Sequence, residues 1–262
     1  MQIRAHGLTV LVVGIDTARA PLEPSRIATQ YWRVSVVDVT GSTQDDLVQR
    51  AEKNQAKDGD VIVANFQSAG RGRLDRSFIA PPSSALLFSF YLQPARTNWN
   101  WLSLLAGQSV ARALSEGEKK VRLKWPNDLM IDEKKVGGII ASRAGGGVVI
   151  GVGINVGMTE EELPLENATS LLLAGFSHLD RTDVLNSILK AIESNIGLWL
   201  ANKDEELLRD YSSRCTTLGK KVEITKPDGS TIVALATGIA RSGELILDNG
   251  LEISVGDIVH LR

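Results

Sequence analysis

The sequence predicts a layered domain of helices and strands followed by a small antiparallel β domain, and three observations lead to this prediction. Up to about residue 214, apolar runs typical of buried strands alternate with segments of helical periodicity. From Gly219 the chain reads as short alternating strands separated by turn pairs. With 262 residues, 43% of them hydrophobic, the chain is long enough for one large core and a second, smaller one. We therefore expect an α/β or α+β layer domain over 1–214 and a small barrel over 215–262.

The elements of the larger domain follow one another along the chain. Strands are predicted at 32–39, 60–66, 85–92, 121–125, 129–142 as a hairpin that turns at 132–134, and 145–157. Helices are predicted at 43–55, 101–116, 182–201 and 204–213. Thr43, with Asp46 three residues later, has the logic of a capping box for the first helix. Pro126 and Asn127 predict a turn, and the acidic run 159–167 predicts an exposed loop.

The two ends of the chain carry different signals. Four turn signals fall within the last 45 residues or so, a density typical of a small antiparallel barrel. They are Pro227-Asp228-Gly229, Ser242-Gly243, Asn249-Gly250 and Gly256-Asp257.

At the N-terminal end, the run LTVLVVGI and the small residues Ala18 and Ala20 resemble an incomplete signal peptide. Because the run is rich in valine and ends at Asp16, it favours an N-terminal strand.

Composition argues against several classes of protein. The formal net charge of -2 argues against a dedicated nucleic-acid-binding domain. Cys215 is the single cysteine, so no internal disulfide is possible, and we expect a reducing compartment, the cytoplasm. With three histidines and one cysteine, a zinc site is not expected. No apolar run approaches the roughly 20 residues of a membrane-spanning helix, so no membrane partner is expected.

The segment QSAGRGRLDRSF, residues 67–78, concentrates positive charge on a flexible stretch. Three arginines accompany one acid, Asp75, and two of the arginines alternate with Gly70 and Gly72. Guanidinium groups match phosphate and carboxylate in shape, and glycine lets the backbone approach an anion closely. We call this segment the arginine loop. On its residues alone it is equally consistent with an anion clamp, a solvated basic turn or an RNA contact.

Three further segments carry polar groups next to predicted strands. KWPND at 124–128 places a lysine, an amide and a carboxylate around a turn, although it is also ordinary turn chemistry. KKVGGII at 134–140 combines two lysines with two glycines that leave room beside a strand, or else forms a solvated hairpin end. GVGINV at 151–156 has glycines and Asn155 inside a buried strand, which favours close approach by another group or a purely structural amide.

Taken in order with GSTQDD at 41–46, these segments resemble the signature of biotin protein ligases, over about residues 38 to 157. The resemblance implies an α+β catalytic domain similar to class II aminoacyl-tRNA synthetases, followed by an SH3-like barrel. Three positions depart from the family pattern. Asp75 replaces a glycine, Phe78 replaces a tryptophan, and Gln44 stands in a Ser-Thr-Asn type segment. Asp75 and Phe78 bear on how tightly the arginine loop orders rather than on the chemistry, and Gln44 is a milder change.

The resemblance also implies the roles of individual residues. The implied biotin-binding residues are Ser42, Thr43, Gln67, Gly70, Arg71, Arg73, Lys135, Gly137 and Gly138. The implied nucleotide-binding residues are Arg73, Arg76, Phe78, Lys124, Trp125, Asn127 and Asn155. The implied catalytic residues are Lys135 as the main cation, Arg73 and Asp128. Whether Asp128 orients Mg²⁺ or the incoming lysine stays open, and no metal-ligating residue is assigned.

The implied reaction has two steps. Biotin and ATP, with Mg²⁺ as co-substrate, form biotinyl-5′-AMP, and a lysine of a biotin carboxyl carrier domain of acetyl-CoA carboxylase or a related carboxylase then takes the biotinyl group. No tightly bound metal or prosthetic group is expected. The stretch before the first matched strand is too short for the DNA-binding winged helix of some family members, so we expect a monofunctional ligase that binds no operator DNA. A monomer or weak homodimer is expected.

The sequence leaves two rival functions open. A lipoate ligase shares the fold and the adenylate chemistry, but lacks the combination of GRGR and KWPND. A nucleic-acid-binding module is the rival from another class, yet aromatic residues are only 5% of the chain and none is interleaved with the arginines for base stacking. Biotin-dependent exchange between pyrophosphate and ATP separates the three functions.

Overall fold

The computed structural model describes residues 19–73, 76–226, 229–254 and 256–261. A seven-stranded sheet forms the centre of the larger part. Its strands are β1 (Arg33–Thr40), β2 (Asp60–Gln67), β3 (Ala85–Leu92), β4 (Arg122–Lys124), β5 (Asp128–Ile131), β6 (Lys134–Ala144) and β7 (Gly147–Asn155). The strand order is β1-β2-β3-β7-β6-β5-β4, and β1 and β2 pair in parallel while the other pairs are antiparallel. The α+β class with a mixed sheet is therefore confirmed.

Four helices cover both faces of this sheet. They are α1 (Thr43–Glu52), α2 (Trp101–Leu114), α3 (Arg181–Leu200) and α4 (Asp204–Arg214). On one face, α1 packs through Leu47 and Ala51 against Ile62, Tyr91 and Val149. On the other face, α2 and α3 enclose the main core with the opposite side chains of the same strands. Because both faces are covered, β3 is buried along its whole length, as its unbroken apolar sequence predicts.

The predicted helices and strands of the described residues are confirmed to within a few residues, with one correction at α1. Ser42, not Thr43, is the N-cap, because its hydroxyl accepts a hydrogen bond from the Asp45 N–H at 3.4 Å. Thr43 is the first helical residue, and its N–H donates to the Gln67 side chain instead. The predicted N-terminal strand at 8–15, the Asp75 substitution and the turn at 227–228 lie outside the described residues.

A five-stranded antiparallel sheet follows, which confirms the small C-terminal β domain. Its strands are β8 (Lys221–Thr225), β9 (Thr231–Ile239), β10 (Leu245–Leu247), β11 (Glu252–Ile253) and β12 (Asp257–His260), in the order β11-β10-β9-β8-β12. Turns occur as expected at Gly243 and Gly250, whose φ angles of 103° and 81° suit glycine. Gly256-Asp257 was expected to form a turn, but Asp257 begins β12. A division into two domains at 215 stays a prediction, since both sheets share one continuous core.

None of the helices in the described part of the chain is long and apolar enough to cross a membrane.

The cap of α3 supports a prediction about stability. Asp180 accepts hydrogen bonds from the N–H groups of Thr182 at 2.9 Å and Asp183 at 3.1 Å, and it pairs with Arg26. Burial raises the pKa of Asp180, but these hydrogen bonds outweigh burial and lower it overall. We expect Asp180→Ala to lower the free energy of unfolding by about 1–2 kcal/mol in urea titrations at pH 7. Asp183→Ala, which keeps the cap, is the matched control.

The same cap gives this stabilisation a pH dependence. Because the folded-state pKa of Asp180 lies below its unfolded value, the contribution is complete above the ordinary carboxyl pKa and is lost as pH falls through the folded-state value. The difference in stability between the wild type and Asp180→Ala should therefore shrink in urea titrations below about pH 4. A difference that stays constant down to pH 2 would contradict the cap assignment.

Candidate active site

A cavity of about 540 Å³ lies on the α1 face of the seven-stranded sheet and extends to the C-terminal sheet. Its volume is within the range of small-molecule sites. Every residue predicted as a site residue lines this cavity except Gly70. Gly70 is buried behind the cavity wall, where a Cβ atom would lie 2.4 Å from the Phe78 carbonyl oxygen. It is therefore placed to let the arginine loop fold back on itself, and the structure does not bring it into the cavity.

Glycines form the floor of the cavity. On the α1 face of the sheet, Gly153 of β7 pairs with Gly138 of β6, and Gly151 is two residues along. A Cβ atom on Gly153 would lie 2.7 Å from the ring of Phe78, so this glycine makes room for that ring. Gly137 has a different reason to be glycine, because its Cβ atom would lie 2.4 Å from the Gly153 carbonyl oxygen. The glycine pair predicted to leave space beside a strand therefore opens the cavity through Gly138.

The N-terminal end of α1 supplies a polar group of side chains at one end of the cavity. Gln67 accepts from the Thr43 N–H at 2.8 Å, and the Thr43 hydroxyl lies 2.9 Å from that of Ser89. The side-chain amide nitrogen of Gln44 donates to the Val149 carbonyl at 3.1 Å, while its oxygen is buried without a partner. Sequence reasoning missed Ser89 as a site residue, although a serine within the apolar run ALLFSFYL was the available signal.

The described residues of the arginine loop form two arms beside the cavity, joined by backbone hydrogen bonds. The Phe78 N–H donates to the Gly70 carbonyl at 2.8 Å, and the Gly72 N–H donates to the Arg76 carbonyl at 2.6 Å. Arg71 pairs with the Asp45 carboxylate at 2.7 Å. These backbone hydrogen bonds hold the two described arms of the loop to each other.

Two arginines of this loop connect it to other elements. Arg73 donates to the Asn127 side-chain oxygen at 2.9 Å, and burial lowers the pKa of its guanidinium, although nearby Asp128 acts in the opposite direction. Arg76 pairs with Asp257 of β12. Arg73 therefore points into the cavity from the 124–128 turn side, and Arg76 bridges to the C-terminal sheet.

Lys135 is held in place through both its backbone and its side chain. An irregularity in the pairing of β5 and β6 places it opposite Met130, and its N–H donates to the Asn167 carbonyl at 2.8 Å. Its ammonium forms an ion pair with Asp128 at 2.5 Å. Lys124 lies opposite Asp128 in the β4–β5 pairing, and burial lowers its pKa. Two lysines therefore lie near one carboxylate, of which Lys135 forms the ion pair, so positive charge is in excess at this point.

Two predicted nucleotide-binding residues have structural partners as well. Trp125 is 2% exposed, and its indole N–H donates to the Gly243 carbonyl at 3.0 Å. Asn155 is also buried, and its amide nitrogen donates to the Thr169 carbonyl at 2.9 Å. Both residues line the cavity, so each combines a fixed position with access to a ligand.

The C-terminal sheet closes one side of the cavity, which sequence reasoning did not predict. Thr225, Asp257, Ile258 and Val259 contribute to the lining. The sequence names none of these as a site residue, because they reach the cavity only through the packing of one sheet against the other.

The charges around the cavity indicate what it can hold. The described lining contains two carboxylates, Asp128 and Asp257, and five cationic residues, Arg71, Arg73, Arg76, Lys124 and Lys135. Fixed cations in a partly dehydrated cavity stabilise anions that would repel one another in water. The arrangement is therefore suited to joining a carboxylate to a phosphate-bearing molecule.

Comparison with known families defines the class of this protein. Residues 36–159 match the biotin/lipoate A/B protein ligase family, and residues 217–261 match the biotin protein ligase C terminal domain. The chain is 37% identical to the biotin--[acetyl-CoA-carboxylase] ligase of Mycobacterium tuberculosis, over 94% of this chain and 98% of that protein. It is 31% identical to the bifunctional ligase/repressor BirA of Escherichia coli, over 82% of this chain and 69% of that protein.

Solved structures agree with these relatives. The biotin protein ligase from Aquifex aeolicus, in complex with biotin and ATP, superposes with a TM-score of 0.74 at 31% identity, covering 87% of this chain and 98% of that one. The two family matches contain the arginine loop, the 124–128 turn and the C-terminal sheet. The chain belongs to the biotin protein ligase family.

Proposed function

We propose that this protein is an ATP-dependent biotin protein ligase, which forms biotinyl-5′-AMP and transfers biotin to a lysine of a biotin carboxyl carrier domain. The observation that carries the proposal is that one cavity combines a neutral polar end, at the start of α1, with the cations Arg73 and Lys135. Family membership and the biotin and ATP complex of the Aquifex aeolicus relative support it.

The polar end of the cavity is suited to the biotin head group. Ser42, Thr43 and Gln67 offer neutral donors and acceptors at the start of α1, and Arg71 lies above them in the arginine loop. The glycine floor beneath leaves room for a thin ring system against the sheet. We assign these residues to biotin by their place in this end of the cavity.

In the first half-reaction, an oxygen of the biotin carboxylate attacks the α-phosphorus of ATP and pyrophosphate leaves. Two anions must meet for this bond to form, and charge builds up on the α-phosphate in the transition state. Lys135 and Arg73 are placed to offset this repulsion, because Lys135 contacts Asp128 and Arg73 contacts Asn127 in the same 124–128 turn. Preorganised cations of this kind lower the barrier without reorganising during the reaction.

The nucleotide is assigned to the other side of the cavity. This side of the cavity is lined by the C-terminal sheet and by Arg76, Phe78, Lys124 and Asn127. Asp128 and Asp257, the carboxylates among the described lining residues, are both ion-paired, which does not fit a dedicated Mg²⁺ site in the protein. Mg²⁺ binds readily through substrate phosphates, so we assign the ion to ATP rather than to this chain.

In the second half-reaction, the acceptor lysine must lose a proton before it attacks the acyl carbon of biotinyl-5′-AMP, because its ordinary pKa is about 10.4. Asp128 is the carboxylate nearest to Lys135, so we propose that it assists this deprotonation or orients the amine. We expect Asp128→Asn to slow transfer to an apo carrier domain by about 10²-fold, in single-turnover assays on preformed adenylate. Transfer at the wild-type rate across the pH range would exclude this role.

Pyrophosphate exchange tests the proposed function as a whole. The purified protein should incorporate labelled pyrophosphate into ATP when biotin is present, and should not do so with lipoate. Exchange with lipoate alone would establish a lipoate ligase, and no exchange with either acid would favour the binding module. The carrier domain as acceptor, the cytoplasmic location, the monomer or weak dimer, and the absence of operator binding stay predictions from the sequence.

A further inference from the structure

The 124–128 turn carries Lys124, Asn127 and Asp128 into the cavity, yet it begins at an edge of the sheet. β4 is three residues long and is the last strand in the order, so one of its edges has no strand partner in the seven-stranded sheet. An edge as short as this does not by itself hold a turn in one position, because few backbone hydrogen bonds oppose its movement.

The segment that leads into the C-terminal sheet covers this edge. Cys215 forms an isolated parallel bridge with Leu123, and the Thr216 N–H donates to the Leu123 carbonyl at 2.7 Å. Just beyond β4, the Trp125 N–H donates to the side-chain oxygen of Thr217 at 3.0 Å. At Trp125, a side chain therefore accepts the hydrogen bond that a strand carbonyl would otherwise accept.

The Thr217 hydroxyl has a second partner from β12. Thr217 is completely buried, and His260 Nε2 lies 3.2 Å from its oxygen. His260 Nδ1 lies 3.4 Å from the Lys220 ammonium, which only donates, so Nδ1 accepts and Nε2 carries the proton. Burial, with Lys124 and Lys220 nearby, lowers the pKa of His260 to about 4, which keeps this ring neutral at pH 7. Both lone pairs of the hydroxyl oxygen are thus in use.

We propose that Thr217 is a positioning residue for adenylate formation, and that it acts through the Trp125 N–H to hold Lys124 and Asn127 at the nucleotide side of the cavity. This inference rests on the proposed function. It gives the C-terminal sheet a defined task, because His260 orients the hydroxyl and Gly243 holds the Trp125 indole from the same sheet.

A Thr217→Val variant tests this, because valine keeps the shape of threonine and loses the hydroxyl. In pyrophosphate exchange we expect the KM for ATP to rise about tenfold, while the KM for biotin stays within about twofold, since one hydrogen bond to a buried donor is lost. Thr217→Ser, which keeps the hydroxyl, should restore the wild-type KM for ATP. Thr237→Val removes a hydroxyl of the same sheet that bonds to the Ile246 carbonyl, and it should change neither KM.

A merely structural role predicts a different result. Loss of folded enzyme lowers kcat and leaves both KM values unchanged, whereas a general loosening of the cavity raises both together. Either result, or failure of Thr217→Ser to restore ATP binding, would overturn the inference. If Thr217→Val does not fold, His260→Leu provides the test, with an expected rise of about threefold in the KM for ATP alone. A wild type without biotin-dependent exchange would refute the proposed function and this inference with it, whereas an unaffected Thr217→Val would refute only the inference.

Discussion

Replacing Lys135 with glutamine should lower the rate of biotin-dependent pyrophosphate exchange by about 10³-fold, the largest effect that we expect from a single substitution. The Lys135 ammonium forms an ion pair with Asp128 at 2.5 Å. The backbone N–H of Lys135 donates to the Asn167 carbonyl, which holds the residue in place. Glutamine retains a polar donor of similar length but no charge. The repulsion between carboxylate and α-phosphate then lacks its main counter-charge, so we expect kcat to fall more than either KM rises.

Lys134 provides the control for this experiment, because it is the preceding lysine and its side chain is exposed. Lys134→Gln removes the same charge from the same strand without touching the cavity, and it should leave exchange unchanged. Lys135→Arg should recover only part of the activity, since the guanidinium is broader and its charge is more diffuse. Equal rates for Lys135→Gln and Lys134→Gln would show that Lys135 is not the reacting cation.

Replacing Arg73 with glutamine should slow pyrophosphate exchange by about 10²-fold. Arg73 is partly buried and donates to Asn127 at 2.9 Å, so its guanidinium is fixed before any ligand binds. Arg73→Lys should be intermediate, because lysine supplies charge without the planar fork that matches carboxylate and phosphate. Arg50→Gln, on the exposed side of α1, is the matched control and should have no effect.

A double-mutant cycle tests whether Asn127 acts by holding Arg73. Asn127→Ala alone should slow exchange, and in the Arg73→Gln background it should have a smaller effect than in the wild type. Strict additivity of the two substitutions would mean that the 2.9 Å hydrogen bond between them does not matter for the reaction. The measurement is again pyrophosphate exchange at saturating biotin and ATP.

Much of the fold was predictable because its signals are local. The unbroken apolar run ALLFSFYL is typical of a strand that is buried on both faces of a sheet, and β3 matches it residue for residue. The cap of α1 was misplaced by one residue, because both serine and threonine are favoured N-cap residues and they are adjacent here. What decided between them was Gln67, a residue of another element, which accepts the Thr43 N–H.

The candidate site was predictable to the extent that its residues belong to contiguous motifs. Arg73, Asn127 and Lys135 come from three such motifs, and the structure places all three along one cavity. Gly70 is assigned to biotin by the resemblance alone; its carbonyl accepts the Phe78 N–H within the arginine loop, and its contact with biotin stays a prediction. Ser89 was missed because its partner, the Thr43 hydroxyl, belongs to another element, whereas Gln44 was noted only as a departure from the family pattern.

The sequence by itself determined the secondary structure, the family and the chemical types of group available for catalysis, since all of these depend on residues close together in the chain. Only the tertiary structure decided which partner each group has. It paired Lys135 with Asp128, set Arg76 against Asp257, and placed Thr217 and His260 behind the 124–128 turn. The physical reason is that hydrogen bonds and ion pairs act over a few ångströms in space, whereas sequence patterns report only distance along the chain.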